Sequence, residues 1–448
     1  MHIKEDKGYV IVIRGVVLAA LCAVRCLLFV SQAAAQTSAL DLIMRDRNLS
    51  ASNYCIYPDS LQPLMTPPPA GKRPFYISHY GRHGSRYLSD RKGYDIPYGY
   101  LCRADSLGLL TETGQAIKRE LEEIISDSEG RWGDLTGIGK RQHRNIARRM
   151  MKRFPEVFEG AAHVDARSTV VSRCVLSMGS AVQQMLVLNP QLQIDIRASK
   201  QDMWWMNHQD EVLRDSAKSK YAERIYRDFR NPRQRNPRLM QLLFTNPDSA
   251  AKVVSEKWLN YYLIKAGLLQ QNTHMGDSTN IINHFTYEEI HRYWQLENAW
   301  WYVQHGPSPL NGGKQPYSQR HLLRRIIQDA DSCLRLPRPG VQLRFGHETV
   351  LLPLTCLLGI NGFDFETVDF DELERNGWWA CLVFPMASNI QLIFYRENPY
   401  DKDVIFKVLL NESEAMLPIP TDIAPYYHWS DFRRHYLKKI DDYEKTRN

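Results

Sequence analysis

Arg82-His83-Gly84-Ser85-Arg86 sets an imidazole between two permanent cations, directly after a short apolar run. Guanidinium forks match phosphate oxygens better than ammonium groups do, so Arg82 and Arg86 imply a phosphate cradle. A neutral imidazole is nucleophilic, and His83 is placed to attack phosphorus and become a phosphohistidine. Gly84 is read as removing a side chain where an anion approaches the backbone. A second cluster, Gly346-His347-Glu348-Thr349, leads into an apolar helical run from Val350 to Leu358. At a helix N-terminus the dipole and free amides favour an anion beside His347. Glu348 is the one adjacent carboxyl, suited to protonate a leaving alcohol and later to take a proton from water. Like-charge repulsion from bound phosphate is expected to raise its pKa.

These clusters need elements that bring them together. Pro74-Phe75-Tyr76-Ile77-Ser78-His79 reads as a buried strand ending at the first cluster, and Val341 to Phe345 as a strand ending at the second. Open α/β sheets bind ligands at that end of their strands. Thr111 and Thr136 are expected to cap helices, and Val175 to Leu188 reads as a helix. From about 190 to 335 the chain turns aromatic and helical, with Trp204-Trp205, Trp258 and Trp300-Trp301. Strand-like runs return at Trp378 to Phe384, Ile390 to Tyr395 and Val404 to Leu410, with a hairpin turn expected at Pro385 to Asn389. The expected fold is a three-layer α/β/α domain with a mainly parallel sheet, interrupted by an inserted, mainly α-helical cap. Residues 73–190 and 336–448 form its two parts and 191–335 the cap. Residues 36–72 read as an N-terminal segment and linker around Pro67-Pro68-Pro69, with the core starting near Arg73.

Other candidates have plainer readings. Arg141, Arg144, Arg148, Arg149 and Lys152 read as a solvated basic face, Lys200 as a surface charge and His79 as buried. Trp204, Trp205, Asn207 and His208 either rim a pocket or belong to a core.

With 44% hydrophobic and 24% charged residues, the 448-residue chain is globular rather than disordered. Its formal charge of +7 leans toward anionic partners. The basic residues are dispersed, which excludes a nucleic-acid binder. Residues 1–35, with a split apolar run ending in Ala33-Ala34-Ala35, read as a signal peptide, so the protein is expected to be periplasmic or secreted without a remaining membrane span. Cys22 and Cys26 would leave with it. Cys55, Cys102, Cys174, Cys333, Cys356 and Cys381 either pair, in a pattern spacing does not disclose, or stay as buried thiols.

Over roughly residues 73 to 396 the chain resembles the histidine acid phosphatase branch of the histidine phosphatase superfamily, whose motifs are Arg-His-Gly-x-Arg and His-Asp or His-Ala-Glu. Arg173, in Ser172-Arg173-Cys174-Val175, resembles the additional phosphate-binding Arg that the family places at a helix start. Within the family, Phe345-Gly346-His347 through Leu351-Leu352-Pro353-Leu354 and the Arg173 phrase are similar to multiple inositol polyphosphate phosphatases. The resemblance implies hydrolysis of phytate and related inositol phosphates. In that scheme Arg82, Arg86, Arg173 and His347 hold the phosphate, His83 attacks and Glu348 is the proton donor. No cofactor or metal is called for, because the Arg cluster supplies the charge, and a monomer acting on a small anionic phosphate ester is expected. Two departures stand out: Tyr87-Leu88 replaces the usual x-Pro after the first motif, and the distal motif is His-Glu-Thr. A broad-specificity acid or sugar phosphatase, and an inactive anion-binding protein of this fold, are the alternatives.

Overall fold

A computed structural model describes residues 38–59, 63–208 and 210–447. The expected signal peptide lies outside the described residues. Strand β1 (Arg73–Arg82) is buried at nearly every position, which is why its apolar and aromatic residues do not alternate with exposed polar ones. Its neighbour β4 (Gly340–Gly346) runs parallel to it, and β2 (His163–Ser168) and β3 (Gln193–Ala198) continue that parallel half. On its other side, β5 (Asn389–Arg396), β6 (Ile405–Leu410) and β7 (Ser413–Ala415) follow antiparallel, giving the order β3-β2-β4-β1-β5-β6-β7. A short β8 (Tyr426–His428) also pairs with β6.

Two helical layers cover the sheet. On one face Ile77, Val164, Val341 and Ile393 pack against Ala147, Met150, Met178 and Met185. Those last four lie on helices α1 (Gly137–Arg153) and α2 (Ser172–Leu188). On the other face Tyr76 and Tyr80 meet residues of the helices at 320–333, 348–358 and 429–445. Thr136 caps α1 and Thr111 caps the helix at 112–128, each accepting from the amide three residues on, as their positions predict.

The helical side unit differs from a simple insertion. Its core combines Leu101, Ile117 and Leu121 with Leu243, Leu259, Leu263 and Ile290, so helices from before residue 130 share it with later ones. Strand β3 falls inside the 191–335 stretch but belongs to the sheet. The strand expected from Trp378 to Phe384 is instead a short helix, Ala380–Val383. Trp378 and Phe384 are wholly buried in the core, and the hairpin forms between β5 and β6. The expected basic face of α1 is also only partly solvated. Arg149 pairs at 2.6 Å with Glu412, a carboxylate 1% exposed.

Candidate active site

Arg82 and Gly346 are register partners at the ends of β1 and β4, so His83 and His347 leave adjacent parallel strands at the same level. The His83 amide donates to Gly346 O at 3.0 Å, and the two imidazoles lie 5.8 Å apart at 70°. The next parallel strand, β2, leads into α2, whose second residue is Arg173. Helix α3 (Glu348–Leu358) starts directly after His347. Neither α2 nor α3 has a side-chain N-cap, leaving first-turn amides unsatisfied by side chains. All six sequence-designated residues therefore come from the carboxyl ends of three neighbouring strands, where such sheets bind ligands.

The imidazole of His83 is fully buried, and its Nδ1 lies 3.0 Å from Gly84 O. A carbonyl only accepts, so Nδ1 carries the proton and Nε2 keeps its lone pair. That Nε2 has no hydrogen-bond partner and sits 3.5 Å from Glu348 Oε2. Burial, joined by repulsion from Arg82 and Arg86, holds the His83 pKa well below its usual value despite the nearby carboxylate. His83 is thus neutral, with an unpartnered lone pair on Nε2.

Glu348 is 7% exposed and engages three cations or donors at once. Arg82 Nε lies 3.0 Å from Oε2, Arg86 Nη2 lies 4.0 Å from Oε1, and Asn53 Nδ2 donates to Oε1 at 3.1 Å. Burial pushes its pKa up, but attraction to Arg82, joined by Arg86, outweighs that, and the carboxyl is held well below the ordinary range. His347 is brought down to about 4, mainly by burial. Its Nε2 lies 3.3 Å from Thr169 Oγ1.

The guanidiniums are oriented but not saturated. Arg82 Nη1 donates to the carbonyls of Asn53 and Phe384, both at 2.6 Å, while its buried Nη2 has no hydrogen-bond partner. Arg86 donates through Nη1 to Tyr87 O and lies over the Tyr54 ring at 5.3 Å, with its buried Nε unpartnered. Arg173 Nε is likewise buried without a partner. Buried donors left unpaired are costly, and an anion with several oxygens would satisfy them together.

His83, His347 and Glu348 also place three ligand atoms within 4.8 Å of one another, close enough for a metal ion. Arg82 occupies the carboxylate and, with Arg86, makes the site repel cations. The arrangement suits an anion.

Gly84 has a further basis beside the one its sequence suggests. A Cβ there would lie 2.5 Å from Gly139 O, and a Cβ on Gly139 would lie 2.3 Å from Ser85 O. The two glycines let the first turn of α1 press against the loop backbone. From that helix Gln142 accepts from the Ser85 amide at 2.8 Å and donates to its hydroxyl at 2.9 Å. Ser85 then donates to Asn272, which donates to Tyr54 O.

Asn53 and Tyr54 were not legible as site residues, because they lie in a 3₁₀ segment, Arg47–Tyr54, with no motif or periodicity to mark them. The chain before Arg73, expected as a linker, forms one wall of the site. Other candidates fall outside it: Lys200 and Trp204 are exposed, Trp205 and His79 are buried, and His208 packs edge-on against His321 at 4.7 Å. Asn53 and Tyr54 also border a cavity of about 700 Å³ that opens toward the helical unit. Lys218, Arg227, Arg230 and Lys265 line it, with Trp258 and Trp300. Lys265 Nζ lies 5.6 Å from the centre of the Tyr54 ring, whose plane Arg86 also contacts.

A family profile described as the histidine phosphatase superfamily (branch 2) matches residues 81–411. Among solved structures, the multiple inositol polyphosphate phosphatase of Bifidobacterium longum in complex with inositol hexasulfate superposes with a TM-score of 0.72 at 16% identity, covering 86% of this chain and 96% of that one. Its complex with phosphate gives 0.65 at 17% identity, covering 88% and 98%. The phytase from D. castellii gives 0.62 at 12% identity, covering 88% and 85%. At these identities the likeness is one of fold. No curated protein sequence matches the chain.

Proposed function

The chain belongs to branch 2 of the histidine phosphatase superfamily and is a phosphatase, and from that premise we propose that it hydrolyses inositol polyphosphates such as phytate through a phosphohistidine on His83. The observation that carries the mechanism is the bare Nε2 of a neutral, buried imidazole 3.5 Å from an ionised carboxyl, surrounded by unpaired guanidinium donors. A substrate phosphoryl group would take up the free donors of Arg82, Arg86 and Arg173, with His347 beside them. Glu348, released from Arg82 and now next to an anion, takes a proton. Nε2 attacks phosphorus, the ester P–O bond breaks, and Glu348 gives its proton to the departing oxygen. Nδ1–H donating to Gly84 O stabilises the positive charge left on the ring. Water then attacks the phosphohistidine while Glu348 takes its proton, and inorganic phosphate leaves.

Preference for a polyphosphorylated ring rests on the adjoining cavity. Its four cations, which share the lining with Glu223 and Glu297, would pair with further phosphates of such a ring, and its tryptophans give an apolar wall. A broad-specificity phosphatase would have no need of them. Export after cleavage behind Ala35 is part of the same proposal, and no helix among the described residues is long and apolar enough to cross a membrane.

Purified wild type and His83→Ala assayed on phytate and on an aryl phosphate decide the matter. Wild type releases phosphate from both and favours phytate in kcat/KM, and the variant is inactive. Activity on the aryl ester alone would leave the phosphatase standing and sink the polyphosphate preference. Undiminished turnover by His83→Ala would sink the phosphohistidine.

A further inference from the structure

We propose that Asn411, on the turn between β6 and β7, is a positioning residue for Arg82 and His83, stapling the base of the loop that grips them. That loop is Phe384 to Ser388, between the Ala380–Val383 helix and β5. It meets the end of β1 through its own backbone. Phe384 O accepts from Arg82 Nη1 at 2.6 Å, Ser388 O accepts from the Arg82 amide at 2.8 Å, and the Ala387 amide donates to His83 O at 2.9 Å. The last of these holds the peptide that leads from His83 to Gly84, and Gly84 O accepts from the imidazole Nδ1.

Asn411 joins the two ends of the loop. Its Nδ2 donates to Leu382 O at 2.8 Å and to Val383 O at 3.1 Å on the near side, and its Oδ1 accepts from the Asn389 amide at 3.0 Å on the far side. A primary amide suits the place because it carries two donors and an acceptor at once. The Asn411 backbone amide also donates to Asn389 O at 2.8 Å, so main chain and side chain hold the same residue.

The backbone of this assembly is strained where it matters. Asn411 and Glu412 form a two-residue turn between the paired Leu410 and Ser413, with φ of 51° and 65°. The second position of such a turn favours glycine. Glu412 keeps the conformation with its carboxylate buried, 2.6 Å from Arg149 Nη2 and accepting from the Tyr57 hydroxyl at 3.0 Å. Ala387, inside the loop, has φ 60°. Among the described residues, three of the five non-glycines with positive φ therefore stand in this one assembly. Such backbone persists only where its surroundings over-determine it, and a staple across the loop's base supplies that constraint.

The test uses the full chain carrying Asn411→Gly. Glycine adopts the turn's positive φ without strain, so the variant loses the staple and keeps the turn. Its circular dichroism matches wild type, and assays are run well below its Tm, where a residue that only stabilises the fold leaves activity unmoved. There kcat on an aryl phosphate falls about tenfold to a hundredfold, because the nucleophile is misplaced. The Kd for inorganic phosphate rises about threefold or more, because Arg82 is no longer preorganised. A second variant, Asn411→Asp, keeps the oxygen facing the Asn389 amide but sets a charge against the carbonyls of Leu382 and Val383. It shares the defects near pH 7 and recovers toward wild type at matched pH as pH falls toward about 4, where a protonated carboxyl regains a donor. If Asn411→Gly does not fold, that recovery decides. The kinetic half rests on the phosphohistidine reading, and the phosphate Kd does not. Wild type without turnover would sink that reading and leave the Kd to judge the staple. Unchanged kcat and phosphate Kd in the folded variants overturn the staple, as does an Asn411→Asp defect that is the same at every pH.

Discussion

Glu348→Gln keeps the outline of the side chain and removes its charge, which isolates what the carboxylate does when an anion binds. In the free site Glu348 is ionised, held there by Arg82 Nε at 3.0 Å. His83 Nε2 is 3.5 Å from the carboxylate. An anion seated at that nitrogen lies about 4 Å away, where two unit charges at an effective dielectric of about 20 repel by about 4 kcal/mol. That repulsion raises the Glu348 pKa from its low value. Binding therefore takes up a proton between the low free value and the raised bound one, so affinity strengthens as pH falls and weakens as it rises. Inositol hexasulfate is a suitable probe, because its sulfates hold their charge across this range. Titrated calorimetrically from about pH 4 to about pH 7, wild type loses tenfold or more in affinity. Glu348→Gln shows a slope smaller by as much as one proton and binds more tightly than wild type at the upper end. Protons taken up elsewhere, at His347 or in the cationic cavity, are common to both proteins and cancel in the comparison. Equal slopes would refute the exchange of phosphate against proton, and with it the assignment of Glu348 as acid.

Asn53→Ala removes the donor to Glu348 Oε1. A bond to a buried charge contributes about 1.5 to 3 kcal/mol, so kcat on an aryl phosphate falls about tenfold or more, and an unchanged kcat would mean that the carboxyl is positioned without it. Gly84→Ala drives a Cβ into Gly139 O. Such overpacking costs about 1 to 3 kcal/mol, seen as a lower Tm, whereas a glycine needed only for anion approach would change KM and leave Tm alone. His79 and His143 are buried and brought down to about 3, chiefly by desolvation. Both folded values lie below the unfolded value of about 6.5, so the unfolded chain binds more protons in that window. Each ring then removes about 1.4 kcal/mol of stability per pH unit as pH falls from about 6.5 toward 3. Urea denaturation across that range should show the slope, and His143→Gln should reduce it by one proton; an unaltered slope would mean that His143 is charged in the folded protein.

What the sequence disclosed and what it concealed divide along a physical line. Arg82, His83, Arg86, His347 and Glu348 stand beside the ends of apolar strands, and a run such as Tyr76-Ile77 before a charged cluster already states both the strand and its loop. Strands β1 and β4 and the capping threonines were legible for the same reason, because a local pattern determines them. Trp378 to Phe384 misled because an apolar aromatic stretch fits a buried strand or a buried short helix equally well, and only the packing of Trp378 and Phe384 decides. Gly84 carries a constraint that its own neighbourhood in the sequence does not show. Its need for an absent side chain was evident, but the atom it makes room for, Gly139 O, belongs to a helix more than fifty residues on.

The site's second wall was hidden because most of its work is done by backbone. Arg82 is fixed by the carbonyls of Asn53 and Phe384, and any residue type can offer a carbonyl. Side-chain identity enters at Asn53 Nδ2 and at the Tyr54 ring beneath Arg86, yet neither residue stands in a motif. Holding the guanidinium by one end has a consequence for binding. Nη1 is committed to the protein while Nη2 is unpartnered and Nε faces Glu348, so an incoming phosphate competes with the carboxylate and not with the scaffold. In the proposed mechanism the scaffold stays fixed through turnover while Glu348 alternates between ion pair and acid. That division of labour explains why a 3₁₀ segment, rather than a second motif, completes the site.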